Sequence, residues 1–155
     1  MVASEIRLNR VIAAPVGSVW KVLTDLDNAE SVLSGVQKIE RLDMTGYETG
    51  TRWRETRVMF GKSATEEMWV TEVEPEKRTV VEASSAGADY STVFTLAPTG
   101  DGTTLTIQFS GKAVDPGIFS KIMMKVLGPL AMRATAKAMQ RDLDDIATAA
   151  EELAG

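Results

Sequence analysis

Residues 115–155 read DPGIFSKIMMKVLGPLAMRATAKAMQRDLDDIATAAEELAG, and the spacing of their apolar side chains decides the architecture. Asp115 can accept hydrogen bonds from the following backbone N–H groups and Pro116 has the preset φ of a first helical position, so a helix is predicted to begin there. Phe119, Ile122, Met123 and Val126 share one face. Beyond a Gly128-Pro129 interruption, Met132, Thr135, Ala136, Met139, Leu143, Ile146, Ala150 and Leu153 share another, while Arg133, Lys137, Arg141, Asp144 and Glu151 take the opposite side. This is a long amphipathic helix whose dry face needs a large partner. Two readings follow: a surface helix packed on an ordinary core, or a helix laid across the mouth of a curved sheet so that it closes a cavity. Four of the eight methionines (Met123, Met124, Met132, Met139) lie in it, and unbranched polarisable side chains serve either as gap fillers or as a wall that adapts to apolar guests. The Gly128-Pro129 step is either a static kink, because Pro129 removes a backbone donor, or a hinge for ligand access.

Upstream, residues 4–13 alternate as a strand does, and Ala14-Pro15 ends it. Val16, Val19, Trp20, Leu23 and Leu26 then describe a short amphipathic helix, and after Asp27-Asn28 a second one runs through Ala29, Val32 and Leu33 with Asn28 as its cap. Gly35 returns the chain to a strand over 36–42. Further strands are predicted at roughly 50–60, 63–74, 78–86, 89–98 and 103–113, with turns at Gly61, Pro75, Gly87 and Gly100 with Gly102. No stretch here has a helical period long enough for a crossover, so the sheet is predicted to be an antiparallel meander.

With the shortest loops, Trp53 faces Val70, Val70 faces Val81, Val81 faces Phe94 and Phe94 faces Ile107. The adjoining rows on that face are Glu55, Met68, Ala83, Thr92 and Phe109, then Arg57, Glu66, Ser85, Tyr90 and Gly111. Arg54, Thr56, Glu67, Thr71, Glu82, Thr95, Thr104, Thr106 and Gln108 form a polar outer face, interrupted by Trp69, Val80 and Val93. A single bulge would reverse part of this pattern. The loop from Met44 to Gly50 is too long to set the register of strand 36–42.

Size and composition bound the function. At 155 residues, with 44% hydrophobic and 25% charged side chains, the chain reads as one soluble globular domain with a substantial core. A net charge of −5 without a basic tract argues against nucleic acid and anionic membrane surfaces as partners. No apolar run approaches a membrane span, and the first residues lack the pattern of a secretion signal, so the cytoplasm is the expected compartment; the sequence does not settle the oligomeric state, for which a monomer is favoured. The chain has no cysteine and no histidine. That removes thiol chemistry, the usual general base at neutral pH and the commonest metal ligand, and it excludes Ser-His-Asp and Cys-His mechanisms; neither a metal nor a cofactor is expected.

The stretch from Val11 to Asp25 (VIAAPVGSVWKVLTD) resembles the N-terminal signature of the helix-grip superfamily, in which a strand runs through Ala-Pro into a helix. Gly50-Thr51-Arg52-Trp53-Arg54-Glu55 is similar to its Gly-Thr-x-aromatic strand opening, and Trp69 to Arg78 (WVTEVEPEKR) to its Val-x-Glu-x-x-Pro hairpin. The branch most similar is the polyketide cyclase/dehydrase-like group, related to START lipid-binding domains and birch-pollen-allergen proteins. The resemblance implies an α+β fold: about seven antiparallel strands curved around a long C-terminal helix, with two short helices after the first strand. It also implies binding of a lipid, polyketide or other hydrophobic small molecule in an internal cavity.

On the inferred inner face, Trp53, Met68, Val70, Val81, Tyr90, Phe94, Ile107 and Phe109, with Ile122, Met123, Val126, Met132 and Met139 from the helix, would make an apolar container or, equally, an ordinary core. Glu55, Arg57, Glu66, Thr92 and Tyr90 add polar groups, which must sit at the mouth or pair with one another. Arg57 and Glu66 are predicted cross-strand neighbours. Arg57 could alternatively orient a ligand carboxylate or carbonyl while Glu55 or Tyr90 supplies a hydrogen bond or proton; if the chain is an enzyme, Glu55 is the acid/base and Arg57 the oxyanion partner. The leading expectation is a binding or carrier module, with a cyclase or dehydratase second. A protein-interaction role of the chaperone-activator type, through Trp69, Val80 and Val93, is third.

Overall fold

The structure is a computed structural model and describes residues 4–113 and 129–155, positions 44, 60 and 86 excepted. Strand β1 (Ser4–Ile12) passes through Ala14-Pro15 into helix α1 (Val16–Thr24). Pro15 suits that corner because its carbonyl still accepts the N–H groups of Ser18 and Val19, at 3.0 and 3.2 Å. α1 stops before Leu26, which belongs to a separate 3-10 turn (Leu26–Asn28), and the one-turn helix α2 (Ala29–Val32) follows. Asn28 precedes α2 but does not cap it: its amide donates instead to Asp25 Oδ2 at 2.6 Å.

Strands β2 (Val36–Arg41), β3 (Arg52–Met59), β4 (Lys62–Glu74), β5 (Arg78–Ser85), β6 (Ala88–Thr99) and β7 (Gly102–Ala113) complete a seven-stranded curved sheet of order β1-β7-β6-β5-β4-β3-β2. Every neighbouring pair is antiparallel. The meander therefore runs from β2 to β7, and β1 adds to its far side. Helix α3 (Pro129–Ala154) packs across the sheet. The predicted helical turns at 115–128, with Phe119, Ile122, Met123 and Val126, and the question of a kink or hinge at Gly128, lie outside the described residues.

Two of the four predicted pairings hold, Val70 with Val81 and Phe94 with Ile107. The other two slip by two residues: Trp53 pairs with Met68, and Val81 with Thr92. The cause is the same in both hairpins. Met59 pairs with Lys62 and Ser85 with Ala88, so Gly61 (φ +73) and Gly87 (φ +78) occupy the second position of their two-residue turns, where the shortest-loop reading had them first. A slip of two preserves which face a side chain points to, so the inner-face assignment survives. It does separate Arg57 from Glu66: Arg57 pairs with Ala64, and Glu66 lies opposite Glu55. A bulge in β4 after Val70 turns Val73 inward towards Trp53, opposite Thr79 of β5, whose hydroxyl meets Tyr47; a second register shift falls in β2 between Val36 and Lys38.

Acidic side chains tie α3 to both edges of the sheet. At the β1 side, Asp144 pairs with Arg10, and Glu151 accepts the backbone N–H of Ala13 at 2.9 Å. At the β2–β3 side, Asp145 accepts the backbone N–H and hydroxyl of Ser34, both at 2.8 Å, and Asp142 holds Arg57. The dry face follows the predicted stripe as far as Ala150; Leu153 is exposed with the rest of the last turn.

Among the described residues the buried apolar side chains form three clusters, where one contiguous core is usual. The largest joins Ile12, Val19, Leu96, Leu105, Leu143 and Ile146. A second gathers Trp53, Val70 and Val81 under β3–β5, and a third Ala83, Ala88 and Tyr90 with Met132 packed on it. On the outer face Val80 is buried and the Arg52 guanidinium lies 4.9 Å over the Trp69 ring.

Candidate ligand cavity

Between the concave face of the sheet, the α1–α2 segment and α3 lies a cavity of about 430 Å³. That falls inside the ~300–1,000 Å³ range of small-molecule sites. The helix contributes Ala131, Thr135, Ala138, Met139, Asp142 and Ile146 to the wall, while Leu143, Ala147 and Ala150 are packed into the main core. Trp53, Met68, Val81, Phe94, Ile107 and Phe109 line the sheet side, and Val22, Leu23, Leu26, Ala29, Val32 and Leu33 line the side of the short helices.

Tyr47 joins the wall from the loop before β3. The loop is held by Thr51, which is buried, donates to Gly46 O at 2.8 Å and accepts the N–H of Glu48 at 3.0 Å. Tyr47 stands edge-on to Trp20, with centroids 6.4 Å apart, and its hydroxyl lies 2.8 Å from Thr79 Oγ1. Thr79 gives its own proton to Glu72 O at 3.0 Å, so Tyr47 is the donor. Burial pushes the Tyr47 phenol up to about 12, against a smaller downward pull from Thr79.

The charged groups collect on one side. Arg57 Nε donates to Glu55 Oε2 at 2.6 Å, while Nη1 and Nη2 donate to Asp142 Oδ1 and Oδ2 at 3.1 and 2.8 Å. Trp53 Nε1 lies 3.4 Å from Glu55 Oε1. Side-chain exposure is 23% for Arg57, 8% for Glu55 and 13% for Asp142, so one guanidinium serves two carboxylates largely out of water. Burial pulls the Arg57 pKa down, but the charges and hydrogen bonds of Glu55 and Asp142 outweigh it and leave the guanidinium above its ordinary value. Burial pushes the Asp142 carboxyl up; Arg57 draws it down, Glu55 and Asp145 push it up again, and the net direction is upward. Tyr90 stacks on Phe109 at 5.5 Å, and burial with the negative charge of Glu66 pushes its phenol up to about 12, so at neutral pH it is a hydrogen-bond donor that keeps its proton.

Of the residues expected to meet a ligand, Trp53, Glu55, Arg57, Met68, Val81, Tyr90, Thr92, Phe94, Ile107, Phe109 and Met139 line the cavity. Val70 is buried in one cluster with Trp53 and Val81, and Met132 packs on the Ala83–Tyr90 cluster; neither Val70 nor Met132 lines the cavity. Ile122, Met123 and Val126 lie outside the described residues. The sequence reading missed the short-helix wall, Tyr47 and, above all, Asp142. A signal for Asp142 was present: it sits three residues after Met139 and four before Ile146, a charge inside the apolar stripe. Among the described residues no group of three or more carboxylates is placed to hold a metal ion.

A curved antiparallel sheet gripping a C-terminal helix around such a cavity is the helix-grip, START-like fold. The sequence profile for polyketide cyclase / dehydrase and lipid transport proteins matches residues 4–151, and the chain belongs to that family. Similar solved structures include a Thermus thermophilus protein (TM-score 0.79, 21% identity, covering 97% of this chain and 99% of that one). The Zhui aromatase/cyclase from a Streptomyces species is also similar (TM-score 0.80, 15% identity, 97% and 94% covered), as is a START superfamily protein from Mycobacterium smegmatis (TM-score 0.77, 14% identity, 97% and 99% covered). At these identities the likeness shows the fold. No curated protein matches the chain in sequence.

Proposed function

We propose that this protein binds an apolar small molecule, of the lipid, quinone or polyketide kind, between sheet and helix, and acts as a carrier or binding module. The observation that carries this reading is the 430 Å³ space lined mainly by apolar side chains with the charged Glu55, Arg57 and Asp142 gathered at one side. An apolar guest there would shed its hydration against Trp53, Met68 and Phe94 while one polar atom met the Arg57 cluster. The test is titration with N-phenylnaphthylamine, an uncharged dye that brightens in apolar surroundings. Saturable one-site brightening that Trp53→Ala weakens is expected; a linear, non-saturating response equal in both proteins refutes the reading.

A second reading, acid-base catalysis on a polyketide-type substrate, draws on the buried carboxyls of Glu55 and Asp142 at the cavity wall, the latter keeping its proton to higher pH than an exposed aspartate. Arg57 suits an oxyanion role poorly, since its Nε and both Nη atoms already donate to carboxylates. Turnover of a poly-β-ketone chain that Glu55→Gln or Asp142→Asn abolishes, with dye binding intact, would establish this reading. The outer face gives a protein-interaction role less support, because Val80 is buried and Trp69 lies under Arg52.

A further inference from the structure

Arg57 looks at first like a receptor for a ligand carboxylate, but its contacts say otherwise. A guanidinium has five N–H donors, and three are already directed at Glu55 and Asp142. Each carboxylate offers roughly four lone-pair sites, so the pair offers about eight. Arg57 takes three of them and Trp53 Nε1 approaches one more. Among the described residues the cluster therefore presents more unused acceptors than donors, and its formal charge is −1, two carboxylates against one guanidinium. Glu66 lines the same wall, although nothing in the count depends on it. An anionic head group placed here would meet a net like charge in a poorly hydrated site, where repulsion is felt more strongly than in water. A hydroxyl, phenol or ammonium would instead find acceptors waiting.

We infer that the cavity selects apolar molecules whose head group donates hydrogen bonds, an alcohol, phenol or amine, and rejects free carboxylic acids, with Asp142 as the specificity-determining residue. Asp142 earns this role by position. It occupies both terminal nitrogens of Arg57, the edge with which a carboxylate would otherwise make a bidentate pair. The inference rests on the binding reading above and narrows its ligand class.

The test is displacement of bound N-phenylnaphthylamine by three probes of equal chain length, decanol, decylamine and decanoate, at neutral pH. Decanol and decylamine should displace the dye at concentrations roughly tenfold or more below decanoate, a ratio expected from one uncompensated like charge in a partly desolvated site. Asp142→Asn, which removes the excess charge, should narrow the gap between decanol and decanoate several-fold. Glu55→Gln removes the same charge from the strand side while leaving the Arg57–Asp142 pair in place; it should narrow the gap too, and it serves if the Asp142 variant fails to fold. Decanoate displacing as well as decanol from the unaltered protein overturns the selectivity while the binding reading stands. So does an unchanged ratio in the folded variants. A protein that binds neither the dye nor any of the three probes overturns both.

Discussion

Asp142 on α3 and Arg57 on β3, 85 positions apart in sequence, face each other through two parallel N–H···O bonds of 3.1 and 2.8 Å. This bidentate pair joins the helix to the sheet at the wall of the cavity, and Glu55 completes it from the strand side. Gly35 makes room for it: a Cβ there would stand 3.3 Å from Arg57 Nη1.

Removing the shared cation should be costly. Arg57→Met leaves Glu55 and Asp142 buried without a counter-charge, and breaking a buried pair of this kind costs about 3–5 kcal/mol. Urea denaturation should show a loss of that size. Adding Glu55→Gln and Asp142→Asn to the same chain should restore much of it, because no ion is then left stranded. A single variant within 1 kcal/mol of the parent, on the order of an exposed pair's worth, would mean that water screens the cluster.

The raised Asp142 carboxyl makes a signed prediction. The folded chain holds this proton more tightly than the unfolded chain, so the stability it contributes is full below the ordinary value of 3.8 and is lost as pH rises through the raised value. Asp142→Asn does not titrate at this position. The stability of the variant minus that of the parent should therefore increase from pH 3 towards neutrality, measured as paired thermal midpoints across that range. A flat or falling difference contradicts the assignment.

Gly102 opens β7 where β1 ends. A Cβ on it would be driven into the carbonyl oxygen of Ile12, a backbone atom held in the β1–β7 ladder and unable to swing aside. Gly102→Ala should thus destabilise by about 1–3 kcal/mol, the usual range for overpacking. Gly46→Ala is the control: nothing lies within 4 Å of the added carbon, so its denaturation midpoint should match the parent's.

Tyr47 and Thr79 give an asymmetric pair of variants. Tyr47→Phe removes a donor but leaves Thr79 bonded to Glu72 O, so the loss should be about 0.5–1.5 kcal/mol. Thr79→Val strands the buried Tyr47 hydroxyl, and its cost should exceed that of Tyr47→Phe in the same unfolding assay. Equal costs would show that the Tyr47 hydroxyl reaches water.

How much of this could be read in advance depended on how local each feature is. The strand and helix order was legible because alternation, three-and-four spacing and turn glycines act over a few residues. The inner face was legible despite two wrong pairings: Trp53 and Val81 each slipped by two positions, and a period of two hides such a slip. Pairs were less legible than faces. The expected Arg57–Glu66 neighbours were lost to that same slip, and Arg57 took its partners from within β3 and from α3.

By itself, then, the order of residues determined the elements, the antiparallel meander and the side each inner residue faces, since these follow from backbone sterics and short-range periodicity. Only the tertiary structure decided that Asp142 meets Arg57 and that open space remains beside them. Both depend on where α3 crosses the sheet, because Arg57 and Asp142 come from elements far apart in the chain and the walls of the space come from the sheet, the short helices and α3, which no local pattern relates.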